Sequence, residues 1–334
     1  MADLRRTRLS DVAALAGVST MTVQRVLHDP EKVATATRER VQDVLRQTSY
    51  IPDLTARGLA ARKTKLVAAI VPLLANAQSS ETLQGLTDVL THQDFQLLVG
   101  VSRFNVEEEE TLISRFLSRG ADAFFLTGTS HTAAAVEMLK QHGVPVVEGV
   151  NLTEQPIDIL VGYSHFRAAR EITHHLMSRG YSSLGYIGPL ESSNERARDR
   201  HLGFEQACLD ENITISPQLC KTTELSMEAG ARAMATLLSQ SPRPRAVFCA
   251  TDILAAGAIF ECQRQRIDIP SQIAVAGFDD LEIARQIVPS LTTVRVPRYE
   301  IGRLAAEAIV ARLSDKPATS ITDVGFELVI RDSS

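Results

Sequence analysis

The chain has 334 residues, 44% of them hydrophobic and 22% charged, with 35 Lys+Arg against 40 Asp+Glu and a formal net charge of −5. That length supports two or three domains with cores of their own, which removes the need for disulfides or a structural metal. The charge is uneven: residues 1–65 hold 12 Lys+Arg and 7 Asp+Glu, a net +5, and the remainder carries −10, the pattern of a basic binding arm on an acidic body.

The N-terminal MADLRRTRLSDV has no apolar stretch behind its basic residues, and no run approaches the ~18 apolar residues of a membrane span. The chain is therefore expected to be soluble and cytoplasmic, without a membrane partner. Residues 9–16, 20–28 and 36–48 read as three short helices whose inner faces carry Val12, Ala13, Ala16, Val18, Val23, Val26, Val41 and Leu45. Gly17 supplies a left-handed residue for a sharp turn between the first two, and Ser19 is placed to cap the second. The spacing predicts a helix-turn-helix over residues 1–48. With Val23, Val26 and Leu27 facing inward, Thr20, Met21, Gln24 and Arg25 face outward, where Gln and Arg can grip adenine and guanine and Met can pack on a thymine methyl. A helical hairpin of some other small domain is the alternative.

Residues 49–65 form a charged segment, a hinge or a plain interdomain linker. From Leu66 onward, short apolar runs at 66–72, 96–101, 123–127, 144–148, 184–188, 246–250 and 273–278 alternate with helical patterns near 79–93, 106–119, 132–142, 166–179, 195–211, 226–240 and 252–265. Such strands, apolar throughout and separated by helices, predict parallel sheets covered on both faces. A polar break at 151–160 and another at 288–297, followed by a helix at 298–314 and a strand-like run at 321–331, favour two α/β lobes. The expected division is 66–162 with 293–320 for the first lobe, and 163–292 with 321–334 for the second. A cleft between such lobes suits a small molecule. Cys208, Cys220, Cys249 and Cys262 are too far apart for a Cys-x-x-Cys site and read as free thiols. The histidines lack ligand spacing, so neither a metal nor another cofactor is expected.

The run LSDVAALAGVSTMTVQRVLHDPEKVATATRERVQDVLRQTSYIPD (9–53) resembles the N-terminal signature of the lactose-repressor (LacI/GalR) family of bacterial transcription regulators. The resemblance implies a homodimer whose second helices read the half-sites of an operator in double-stranded DNA. Thr20 and Met21 match the main base-reading positions and Arg25 a third, with Ser19, Thr22, Gln24 and Tyr50 completing the DNA-contacting set. Gln24 and His28 stand where the family usually has Ser and Asn, which bears on base preference. DLTARGLAARKTK resembles the family's hinge, a helix that forms in the minor groove. There Leu59 matches the wedge between base steps, Ala60 lies beside it, and Arg57 can engage phosphate.

The body resembles the same family's periplasmic-binding-protein-like architecture. HDPEKV (28–33), VFCATDILAAGAIFECQR (247–264), VAGFDDLEIARQIVPSL (275–291) and DVGFEL (323–328) resemble its gluconate and idonate repressor branch. That branch implies a sugar-acid effector: gluconate, 2-ketogluconate or 6-phosphogluconate. Arg200 matches the family's effector-binding arginine, whose planar fork suits a carboxylate. Asp279 matches the acceptor of sugar hydroxyls, with a helix cap as the alternative. Thr251, Ser79 and Thr127 are further candidates. Glu148 faces either the cleft or solvent, and His165 reads as a solvated helix-start residue. No Gly-x-Gly-x-x-Gly, P-loop, Gly-x-Ser-x-Gly or His-Glu-x-x-His occurs, and a sugar-acid-modifying enzyme finds no nucleophile and base. A transport-type binding protein would have no use for residues 1–65. The expected mechanism is an effector that changes lobe orientation and thereby operator affinity, most simply by release.

Overall fold

The computed structural model describes residues 7–50, 64–74, 77–190 and 194–334, and the chain divides between Thr64 and Lys65 into two compact units. The first unit contains α1 (Leu9–Ala16), α2 (Thr20–His28) and α3 (Thr35–Thr48). Its core is made of small residues, Val12, Ala13, Ala16, Val23, Val26, Val41 and Val44, with Val18, Leu27, Leu45 and Tyr50 packed on the rim. Val44, one turn from Val41, takes the inner position expected for Leu45. Gly17 ends α1 at φ +64°, and its amide reaches the carbonyls of Ala13 and Ala14. No atom lies within 4 Å of where a Cβ on Gly17 would sit, so the cost of a side chain there is conformational. Gly17→Ala should lower the stability of this unit by about 1 kcal/mol, and an unchanged thermal midpoint would contradict that assignment.

The second unit begins β1 (Leu66–Val71), α4 (Ala77–His92), β2 (Gln96–Val101), α5 (Val106–Ser118), β3 (Ala123–Thr127), α6 (Ala133–His142), β4 (Val146–Val150) and β5 (Ile159–Gly162). It continues α7 (His165–Ser178), β6 (Leu184–Pro189), α8 (Glu195–Asp210), β7 (Cys220–Thr223), α9 (Met227–Leu238), β8 (Ala246–Cys249), α10 (Asp252–Arg264) and β9 (Ala274–Ala276). It ends α11 (Glu282–Gln286), β10 (Thr293–Arg295), α12 (Arg298–Leu313), β11 (Ile321–Asp323) and β12 (Glu327–Val329).

Two parallel sheets result. The first has the order β11-β5-β4-β3-β1-β2 and the second β7-β6-β8-β9, while β10 and β12 pair antiparallel. The apolar runs VAAIV, AFFL and AVFC are buried on both faces, as strands covered by helices on each side must be. In each sheet the first strand, β1 or β6, lies between the next two, so successive crossovers leave it in opposite directions. Such a reversal opens a crevice at the carboxyl ends of the strands.

The polar stretch at 151–160 runs into β5, the last strand of the expected first-lobe segment 66–162. One expectation needs correction. The run 321–331 is two strands, because Gly325 turns at φ +67° and its amide bonds the Asp323 carboxylate at 2.9 Å. β11 pairs with β5 through Ile321 and Leu160, so residues 321–323 belong to the first lobe and not, as expected, to the second. Helix α12 also packs on that lobe, where a Cβ on Gly302 would lie 1.9 Å from the Thr82 carbonyl oxygen of α4. Among the described residues no helix is long and apolar enough to cross a membrane, and no group of His, Cys, Asp and Glu could hold a metal ion. All four cysteines are free, and burial pushes the Cys208 and Cys262 thiols up to about 12.

Candidate functional site

In the first unit, the inward turn of Val23 and Val26 leaves Thr20, Met21, Gln24 and Arg25 exposed on one face of α2, with Met21 65% accessible. Ser19 Oγ accepts from the Thr22 amide at 3.2 Å and lies 2.9 Å from the Thr22 hydroxyl. This cap fixes the start of the helix and the direction of its first turn. Tyr50 is half-buried against the unit's core. Arg57, Leu59 and Ala60 lie outside the described residues.

In the second unit, the residues after β5, β6, β8 and β9 converge on Phe278. The Arg200 guanidinium lies 4.8 Å over its ring, and His165 and Tyr163 stack against it at 5.8 and 6.5 Å. Arg200 donates from Nη1 to the Ala250 carbonyl at 2.8 Å and from Nε to the Arg196 carbonyl at 3.2 Å. Arg196, one turn earlier on α8, is held beside the Phe104 ring of the first lobe at 5.7 Å. Both arginines are buried, and neither forms an ion pair among the described residues. Two desolvated guanidinium groups one helical turn apart can take up an anion. Burial holds the Arg196 pKa below its ordinary value, with Glu195 pulling against this and Arg200 adding to it.

Acceptors surround these cations. Asp279 is buried at φ +118°, and its amide bonds the Val294 carbonyl at 2.8 Å. Burial and Asp279 together push the Tyr163 phenol up, so it stays protonated. Burial, Arg200 and Arg196 hold the His165 imidazole well below its ordinary value, and hence neutral. Asp252, beneath Asp279, accepts from the Thr293 hydroxyl at 2.6 Å and the Leu281 amide at 2.7 Å, and burial with the nearby Asp279 charge raises it to about 7.

A pocket of about 330 Å³ opens between the lobes beside Arg196, lined by Phe104, Asn105, Thr127, Ser130 and Glu195 among others. Glu195 fastens one side to the other, accepting from the Thr129 amide at 2.7 Å and from the Thr129 and Ser130 hydroxyls. Asn151 to Asp199, at 3.2 Å, and Arg298, which donates from Nη1 to the Asp279 carbonyl while Glu81 of its own lobe holds its other nitrogens at 3.1 Å, add to this closure.

Of the residues singled out from sequence, Arg200 and Asp279 come together at Phe278, and Thr127 lines the outer cleft. Thr251 caps α10, its hydroxyl accepting from the Leu254 amide at 3.3 Å. Ser79 is buried in the first turn of α4. Glu148 is buried rather than solvent-facing: one oxygen lies 3.4 Å from His131 Nε2 and the other accepts from the Ile157 amide at 2.5 Å. His165, expected in solvent, is 1% exposed, because the aromatic rings of Tyr163 and Phe278 close over it. Arg196, Tyr163, Phe278 and Glu195 went unrecognised. Only Arg196 carried a signal, standing four residues before Arg200 on the same helical face.

His131 forms a buried triad with Glu109, at 2.5 Å, and Glu148. Burial alone would lower its pKa, but the hydrogen bonds and charges of the two carboxylates raise it to about 9. The resulting stabilisation is complete below the ordinary value of 6.5 and is lost as pH rises through about 9. The unfolding midpoint of the unmodified chain should therefore fall across this window more steeply than that of His131→Asn. Parallel pH profiles would contradict the pairing.

An exposed helix-turn-helix face and a two-lobed α/β body, carried on one chain, define a DNA-binding transcriptional regulator. The comparisons agree. The model of bacterial regulatory proteins of the lacI family matches residues 8–53, and that of the periplasmic binding protein-like domain matches 173–334. The chain is 35% identical over 335 residues to the HTH-type transcriptional regulator GntR of Pseudomonas aeruginosa, covering 98% of this chain and 96% of that one. It is 30% identical over 328 residues to the HTH-type transcriptional regulator IdnR of Escherichia coli, covering 97% of each. The crystal structure of a LacI-family transcriptional regulator from Silicibacter pomeroyi matches with a TM-score of 0.92 at 33% identity, over 98% of this chain and 99% of that one. The chain belongs to the lacI family of bacterial transcriptional repressors.

Proposed function

We propose that the protein is a homodimeric repressor of sugar-acid catabolism genes that reads its operator through Thr20, Met21, Gln24 and Arg25 and binds a sugar acid in the body's cleft. The observation that carries the effector reading is the pair of buried arginines, Arg196 and Arg200, held on the Phe104 and Phe278 rings without an ion-pair partner among the described residues. A carboxylate satisfies both cations through charge-assisted bonds, while Asp279 and the Tyr163 phenol suit the hydroxyls of a polyol. In the contact set, Ser19 and Thr22 hold the start of the reading helix, and Tyr50, Arg57, Leu59 and Ala60 complete the DNA-facing residues toward the hinge.

The outer cleft favours one acid over its phosphorylated form. Glu107, Glu109 and Glu195 outnumber Arg196 and Arg198 there, so a second anion at the far end of the ligand meets net negative charge. Calorimetric titration of the full chain should give saturable binding of gluconate or 2-ketogluconate, at least about tenfold tighter than 6-phosphogluconate. Failure to bind any of the three would remove the sugar-acid reading.

A further inference from the structure

We propose that His165 makes the cleft select a 2-hydroxy acid over the corresponding 2-keto acid; this rests on the sugar-acid reading above. His165 opens α7, and its Nε2 donates to the Val150 carbonyl at 3.1 Å. Val150 presents that carbonyl from φ +79°, a conformation that β-branched residues rarely adopt. The bond fixes the tautomer, because a neutral ring that donates from Nε2 carries a bare lone pair on Nδ1. That Nδ1 is buried and has no hydrogen-bond partner among the described residues. Buried acceptors are rarely left unmatched, because each costs roughly 1–3 kcal/mol.

Protonation does not fill the vacancy, since burial and the charges of Arg200 and Arg196 keep the ring neutral. The ring is tightly held, 4.4 Å from Tyr163 and 5.8 Å from Phe278. The same Phe278 ring bears the Arg200 guanidinium at 4.8 Å. One aromatic platform thus carries a cation suited to a carboxylate and a neutral acceptor suited to a hydroxyl. In a 2-hydroxy acid these two groups sit on adjacent carbons. Its hydroxyl donates to Nδ1, whereas a keto oxygen has no proton to give and sets one lone pair against another.

The test is calorimetric titration of the full-length unmodified chain, His165→Phe and His165→Gln with gluconate and with 2-ketogluconate, with operator binding in the absence of acid as the control for folding. The unmodified chain should bind gluconate roughly ten- to a hundredfold more tightly than 2-ketogluconate. His165→Phe keeps the aromatic contacts and loses the acceptor, so gluconate should weaken by that factor while 2-ketogluconate changes by less than about threefold. His165→Gln restores an acceptor oxygen and should recover part of the preference. Equal affinity of the unmodified chain for the two acids, or equal loss of both in His165→Phe, would overturn the role of His165 alone. Binding of neither acid by the unmodified chain would overturn the sugar-acid reading and this inference with it. Should His165→Phe lose operator binding, the preference of the unmodified chain and its persistence in His165→Gln decide the question.

Discussion

Arg200→Ala should abolish the effect of the acid on operator binding while leaving operator binding without acid unchanged. The side chain is buried on Phe278, and its Nε and Nη1 are tied to the Arg196 and Ala250 carbonyls. Those contacts aim the guanidinium before a ligand arrives, so little ordering entropy remains to oppose binding. Removing a desolvated, preorganised cation from a carboxylate should cost roughly 3–4 kcal/mol, or a hundred- to a thousandfold in affinity. Arg200→Lys separates charge from geometry: it keeps the cation, loses the planar fork and should fall between the two. Equal affinity of all three proteins for the acid would place the effector elsewhere.

Arg25→Ala should weaken operator binding by about 1–3 kcal/mol, or five- to more than a hundredfold. The residue stands on the exposed face of α2, opposite Val23 and Val26, on a helix whose start is fixed by the Ser19 cap. If Arg25 reads a base edge, the variant loses more on the true operator than on a scrambled duplex of the same length. A residue that met only phosphate would instead weaken both equally and lower the salt dependence by about one counterion. Gln24→Ala provides the companion measurement, because Gln is long enough to reach a base where the family's usual Ser is not. Effector binding, made in the other unit, should be unaffected by either change.

Much of this was legible in the sequence. The first unit could be read almost residue by residue, because a left-handed Gly17, a capping Ser19 and apolar residues at helical spacing constrain a small domain tightly. The longer strands of the body were equally plain, being apolar throughout, whereas β5, β7 and β10, at three or four residues each, are too short to produce a pattern. The split of 321–331 depended on which strand lay nearest, which local sequence does not encode. Arg200 and Asp279 could be singled out only through resemblance. Tyr163 and Phe278 looked like any other core aromatics, and only the meeting of strand ends makes them a platform. His165 and Glu148 were misjudged for one reason: their burial is imposed by segments distant in the chain, the Phe278 ring for one and the His131 loop for the other.

The uneven charge acquires a physical meaning from this division of labour. A basic N-terminal segment can approach phosphates, while an acidic body is repelled by them, which limits indiscriminate binding. Coupling between the two sites should lie in the usual range of about 1–3 kcal/mol and be reciprocal, so operator DNA must weaken acid binding by the same factor that acid weakens operator binding. Glu195, Asn151 and Arg298, through their bonds to Thr129, Asp199 and the Asp279 carbonyl, join the lobes, and a ligand that biases lobe orientation would have to act on these contacts.

The most direct test is fluorescence anisotropy of a labelled operator fragment with the full-length protein, at fixed and stated salt, titrated with gluconate. Saturating acid should raise the operator dissociation constant by about 5–150-fold, and Arg200→Ala should eliminate this shift. An operator affinity indifferent to gluconate and 2-ketogluconate, or an Arg200→Ala protein that responds as the unmodified one does, would contradict it.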